Sequence, residues 1–130
     1  MIQFQIKRFN ELSTAELYQL LHLRSEVFVV EQNCVYQDID GKDEKALHVL
    51  GYYNGELAAY SRLFDKGYYF EEASIGRVVV NLKYRNKKFG HDLIHVSIAA
   101  IKESFNQTAI TISAQEYLKK FYESHGFSKT

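Results

Sequence analysis

The run SIGRVVVNLKYRNKKFGHDLIHVSIAAIKESF, residues 74–105, decides the fold. It begins with Ser74-Ile75-Gly76-Arg77-Val78-Val79-Val80, a β-branched stretch suited to a strand covered on both faces. It ends in a helical pattern from about residue 91 to 105, with Ile94, Ile98, Ile101 and Phe105 on one face and Asp92, His95, Lys102 and Glu103 on another. A second strand pattern follows at residues 108–113. Strand, helix, strand is a crossover unit, which makes the two strands parallel and sets the connecting loop at the carboxyl end of the first. Ligands of open α/β sheets bind at such ends.

The connecting loop, Tyr84-Arg85-Asn86-Lys87-Lys88-Phe89-Gly90, gathers three cations just where the helix begins. A helix N-terminus leaves backbone N–H groups unpaired and carries partial positive charge, so it can hold a phosphate. Arg85, Lys87 and Lys88 add full charges, and Gly90 allows close approach of the main chain. The loop has neither the glycine-lysine-serine/threonine of a Walker loop nor more than one glycine of the dinucleotide fingerprint. Taken alone, it reads equally as a phosphate site or as a solvated basic turn.

Outward from this unit, Ile2, Phe4 and Ile6 alternate with polar residues as in a half-buried strand. Ser13 and Glu16 form a capping-box signal for a helix running to about residue 32. Arg24 falls inside the apolar stripe of that helix and Glu31 continues it; the pair reads either as a buried ion pair or snorkelling arginine, or as the polar wall of a cleft. Residues 33–45 are acidic and turn-rich, a loop. Residues 47–53 and 56–64 flank Asn54-Gly55, whose positive φ angles suit a two-residue type I′ hairpin. Residues 115–125 read as a last helix, stopped by Gly126.

The 130 residues form a single domain, 1–130, of mixed α/β (α+β) class. Sixteen Lys and Arg balance sixteen Asp and Glu, so no global field favours nucleic acid or an anionic membrane, and no apolar run is long enough to span a bilayer. A lone cysteine, Cys34, cannot make an internal disulfide, and the N-terminus does not read as a signal peptide; the expected setting is the cytoplasm.

The two segments Ile75-Gly76-Arg77-Val78-Val79-Val80 and Tyr84 to Gly90 resemble the acetyl-CoA segment of the GNAT superfamily of N-acetyltransferases, whose loop reads Arg/Gln-x-x-Gly-x-Gly/Ala. Gln115, seven positions before Tyr122 and followed by Gly126-Phe127, is similar to that superfamily's second signature. Residues 23–32 with Cys34, Tyr36, Asp40 and Asp43 look like the ElaA-like branch, and the resemblance covers essentially the whole chain. Lys88 stands where the superfamily usually has its first glycine. The resemblance implies a mixed, mainly antiparallel sheet with a central parallel strand pair, flanked by helices, with C-terminal strand beyond Thr130 in other members.

It also implies a reaction: an amine attacks the thioester carbonyl of acetyl-CoA and the CoA sulfur leaves. Main chain of Val78, Val79 and Val80 would pair with the pantetheine arm and supply an oxyanion donor. Arg85, Asn86, Lys87, Lys88, Phe89, Gly90 and His91 would hold the pyrophosphate, with Gln115 beside the pantetheine. Tyr122 would be the general acid for the thiolate; Glu31, His48 or water would be the base. Asp38, Asp40, Asp43 and Glu44 would attract a cationic acceptor, or simply form a solvated loop. The acceptor is a small-molecule or peptide amine, and an open sheet edge suggests a homodimer.

Rival readings are a CoA-binding regulatory module without turnover, and a zinc hydrolase. The latter draws on His91-Asp92-Leu93-Ile94-His95, a near miss to His-Glu-x-x-His; no metal is expected here. Cys34 reads as an inert thiol.

Overall fold

The computed structural model describes residues 2–31, 38–68, 71–107 and 109–112. Strands β1 (Gln3–Arg8), β2 (Leu47–Tyr53), β3 (Glu56–Phe64), β4 (Ala73–Val80) and β5 (Ile110–Ile112) form one sheet in sequential order. The first three junctions are antiparallel and β4–β5 is parallel, with helix α2 (Phe89–Phe105) as the crossover. Helix α1 (Thr14–Ser25) follows β1. This is the mixed, helix-flanked sheet expected from the sequence.

Local chemistry sets the elements. The Glu16 amide donates to Ser13 Oγ at 3.1 Å and the Ser13 amide donates back to Glu16 Oε1 at 2.8 Å, a reciprocal cap on α1. Asn54 (φ 51°) and Gly55 (φ 76°) make the left-handed turn between β2 and β3. Strand alternation then sorts side chains to the two faces. Val49, Ala59, Leu63 and Ile75 pack with Leu93, Ile94 and Ile101 of α2, while Leu50, Leu57, Tyr60 and Val79 pack with Leu20, Leu23 and Val27 on the α1 side. Both faces of β2, β3 and β4 are therefore covered, which is why these strands read as nearly continuous apolar runs, whereas the edge strand β1 alternates.

Three features depart from the sequence expectations. α-Helical bonding stops at Ser25, and Glu26–Glu31 continue as a π-helical turn; β-branched Val27, Val29 and Val30 favour the tight α turn poorly. The loop before α2 is itself helical: Leu82–Lys87 form a 3₁₀ helix whose Asn81 side chain accepts from the Lys83 amide, and α2 begins at Phe89, not residue 91. Finally, β4 is not regular. Tyr60 pairs with Val79 and Arg62 with Gly76, so Arg77 and Val78 together stand opposite Ser61, a β-bulge with Arg77 at φ 50°. Among the described residues β4 pairs with β5 only at Ala73, Ser74 and Ile75, just ahead of the bulge. The helix expected at 115–125 lies outside the described residues.

Candidate functional site

The basic segment is fixed from beneath by aromatic packing. The rings of Tyr53 and Phe89 lie 5.1 Å apart and those of Tyr53 and Tyr84 5.3 Å apart, with Lys87 Nζ 5.3 Å from the Tyr53 ring centre. Phe89 is buried, so it can offer a ligand only its main chain. Asn86, Lys87 and Lys88 are exposed beside it. Glu56 receives Tyr84 Oη at 2.6 Å and Lys83 Nζ at 2.9 Å, tying the segment to the start of β3.

Lys88 caps α2 in the left-handed region, φ 61° and ψ 25°. This conformation costs a non-glycine residue about 1 kcal/mol, which accounts physically for a loop pattern that prefers glycine there. The amides of Phe89 and Gly90 head the helix, while that of His91 donates to the Lys88 carbonyl at 3.2 Å. Arg85 donates from Nε to the Val80 carbonyl at 3.2 Å and grips Glu31 with both terminal nitrogens, at 2.6 and 2.8 Å. Two residues assigned to different tasks in the sequence, one to phosphate and one to proton transfer, thus hold each other.

In the described part of the acidic loop, residues 38–45, the three aspartates are neither a solvated surface nor an open cation trap. Arg24 on α1 is fully buried and donates to Asp38 Oδ2 (3.0 Å), the Asp38 carbonyl (2.9 Å) and Asp43 Oδ1 (2.7 Å). Arg62 on β3 binds Asp40 through both terminal nitrogens at 2.9 Å and Asp43 at 3.0 Å. Arg77 in the bulge donates to Asp38 Oδ1 (2.8 Å), the Asp38 carbonyl (3.1 Å) and Asp40 Oδ2 (3.4 Å). Three guanidiniums and three carboxylates form one closed cluster. Burial on its own would raise the Asp40 carboxyl, but hydrogen bonds from Arg62 and the Lys42 amide, with the charges of Arg62 and Arg77, bring it down to about 2. Asp43 is likewise lowered, by Arg24 and Arg62, against its burial. Arg24 is indeed ion-paired, but with Asp38 and Asp43 and not with Glu31, which pairs with Arg85. The acceptor-attracting role drawn for Asp38, Asp40 and Asp43 does not hold, because their charges are already matched; Glu44 stays exposed.

His48 also belongs to this interior. It has no exposed surface; Nε2 lies 2.9 Å from the Asp43 carbonyl and Nδ1 2.6 Å from Tyr60 Oη. A carbonyl can only accept, so Nε2 carries the proton and Nδ1 accepts from the tyrosine hydroxyl. Burial lowers its pKa against the pull of the Asp43 carbonyl and carboxylate. With both nitrogens engaged away from solvent, it has no path to an incoming amine, and the base role given to it is corrected.

His91 and His95 lie on the exposed face of α2, and among the described residues no group of three or more His, Cys, Asp and Glu comes together to hold a metal. Gln115, Tyr122 and Cys34 lie outside the described residues. A groove of about 640 Å³ runs between α1 and the top of β3, lined by Tyr18, His22, Glu26, Leu57, Asn81 and Lys83 among others. Among the described residues, none of the candidate catalytic or cofactor-binding residues lines it. The bulge was missed because a β-branched run gives no sign of it; an arginine amid such a run, next to a glycine, was the only available hint.

Comparison with known proteins places these features in context. The acetyltransferase (GNAT) domain family matches residues 10–130. Protein ElaA of Escherichia coli is 42% identical over 129 residues, covering 98% of this chain and 84% of that protein. An acyl-CoA N-acyltransferase from Pseudomonas aeruginosa superposes with a TM-score of 0.90 at 37% identity, covering 98% of this chain and 89% of the other. The crystal structure of Escherichia coli ElaA superposes with a TM-score of 0.89 at 41% identity, covering 96% and 86%.

Proposed function

The chain belongs to the GNAT acetyltransferase family, and on that premise we propose that it moves an acetyl group from acetyl-CoA to an amine by direct attack on the thioester. The observation that carries this reading is a continuous main-chain path. Among the described residues β4 pairs with β5 from Ala73 to Ile75; it then bulges at Arg77 and Val78, and within a few residues delivers the chain to the basic N-terminus of α2. A cofactor with an anionic end and an amide-rich arm matches that path in order: diphosphate at Phe89 and Gly90 with Arg85, Lys87 and Lys88 around it, pantetheine along Val78 to Val80, thioester at the bulge.

In the reaction the amine nitrogen forms a bond to the acetyl carbon, a bulge amide takes the developing oxyanion, and the carbon–sulfur bond breaks. Tyr122 gives its proton to the thiolate, since a phenol is still protonated at neutral pH where a carboxylate is not. The amine loses its proton to Glu31 or to water. Of the two protein groups Glu31 is the one open to solvent, although Arg85 holds its carboxylate with both terminal nitrogens, while His48 is buried in the core. The acceptor is a small molecule or a peptide, the proposed setting is the cytoplasm, and the outer edge of β1 is where a second copy would pair.

Calorimetry with acetyl-CoA, CoA and ADP, joined to a thiol-release assay over a broad amine panel, tests the reading. Binding of both CoA species, weaker binding of ADP, and amine-dependent thiol release are expected. Binding without release across the panel would instead make the chain a CoA-binding regulatory module, and no binding at all would end the reading.

A further inference from the structure

We propose that Arg77 is a positioning residue for acetyl transfer: clamped by Asp38 and Asp40, it holds the β4 bulge in the shape that aims a main-chain amide at the thioester carbonyl. The inference rests on the transferase reading above and adds to it the device that keeps the site in register.

Arg77 has a left-handed backbone, φ 50°, a conformation costing an ordinary residue about 1–2 kcal/mol. Its neighbour Gly76 would adopt such a conformation without penalty, yet the strain sits on the arginine. Strained residues persist only where their surroundings over-determine them. Here the side chain does so. Its guanidinium reaches Asp38 twice, at 2.8 and 3.1 Å, and Asp40 at 3.4 Å, with only 17% of the side chain exposed.

The partners are themselves anchored. Asp38 is held by Arg24 from α1, and Asp40 by both terminal nitrogens of Arg62 on β3. Arg62 pairs in register with Gly76, the residue just before the bulge. The clamp therefore refers the bulge to two fixed elements, the helix on one face and the neighbouring strand, instead of to a mobile surface chain. On the opposite side of the bulge, Ser61 Oγ lies 2.7 Å from Ser97 Oγ of α2. Ser97 Oγ donates to the Leu93 carbonyl, so Ser61 is the donor in that pair and β3 is pinned to the second helix at the same level.

A Cβ placed on Gly76 would meet nothing within 4 Å, so space is left beside the bulge. A bulge without its clamp would relax towards regular pairing with β3, rotating the amides of Arg77 and Val78 by the one-residue step that separates the two faces of a strand. The oxyanion donor would then point away from the carbonyl, although the diphosphate end at α2 would be untouched.

The test uses the full chain and acetyl-CoA labelled with ¹³C at the carbonyl. In the wild-type complex the carbonyl resonance and stretch should shift from their free values, reporting polarisation by the bulge amide. Arg77→Ala removes the clamp and leaves a residue for which φ 50° is strained. It should return the carbonyl signal most of the way to the free value and slow thiol release at saturating donor by roughly tenfold or more, while affinity for CoA stays within about threefold. Arg77→Lys keeps the charge without the two-point grip and should move the same way by less; it decides the matter if the alanine variant does not fold. Asp38→Asn should follow it. Folded variants with wild-type carbonyl signal and turnover would overturn the positioning role while leaving the transferase reading intact. A wild-type protein that fails to bind acetyl-CoA would remove both.

Discussion

Two charge-rich regions flank the end of β4, and they treat the same residue types in opposite ways. In the Arg24–Arg62–Arg77 cluster, every guanidinium meets a carboxylate and water is nearly excluded. Along Arg85 to Lys88 the side chains are exposed and sit on an aromatic floor, with Glu31 the carboxylate drawn to Arg85. The difference teaches that charge density does not identify a ligand site; what matters is whether the protein has already supplied the counter-charge. A buried matched cluster fixes shape, whereas an exposed group of cations at a helix start remains able to meet a phosphate.

The sharpest way to break this comparison is Arg24→Met, which leaves Asp38 and Asp43 buried beside a neutral side chain. Urea unfolding should show a loss of about 3–5 kcal/mol; a loss well under 1 kcal/mol would mean the cluster carries little of the structure. Acid separates the regions next. The Asp40 carboxyl, near 2 in the fold against an ordinary 3.8, contributes stability that is present above about pH 4 and is lost as pH falls towards 2, and Asp43 acts in the same sense. Thermal melts should drop over that window, and Asp40→Asn should flatten the drop.

On the exposed side, Lys87→Glu or Gly90→Val should weaken CoA binding by about tenfold, equivalent to about 1.4 kcal/mol, with the melting temperature nearly unchanged. Unaltered affinity in both would move the diphosphate elsewhere. The smallest expected effect is the most diagnostic. Glu31→Gln removes the internal anion that shares Arg85, so CoA should bind about threefold more tightly at low salt, with the gain fading as salt is raised. Weaker binding would show that Glu31 orients Arg85 for the phosphate and does not compete with it.

Much of the fold was legible because its signals are local. Ser13 with Glu16, Asn54 with Gly55, and the strand–helix–strand pattern around Ile94 and Ile101 each act over a few residues and appear as expected. The basic segment was legible as a candidate site for the same reason, since a helix start and its cations are contiguous. Arg24 was ambiguous because its partners lie 14 and 19 residues away in a stretch that reads as a polar loop. His48 was mistaken for a base because residue type says nothing about burial. The bulge was hidden for a subtler reason: it depends on Arg77 finding carboxylates 39 and 37 residues upstream, so its cause is tertiary while its sequence is that of an ordinary strand.

The closed cluster also bears on heat. Hydration of ions becomes less favourable on warming, so the penalty for keeping six charged groups dry shrinks as temperature rises, while gains from apolar burial level off. Segment 38–43 should accordingly be among the later parts of the molecule to loosen near the melting point, and cooling, not heating, is the condition under which its grip on the sheet is relatively weakest.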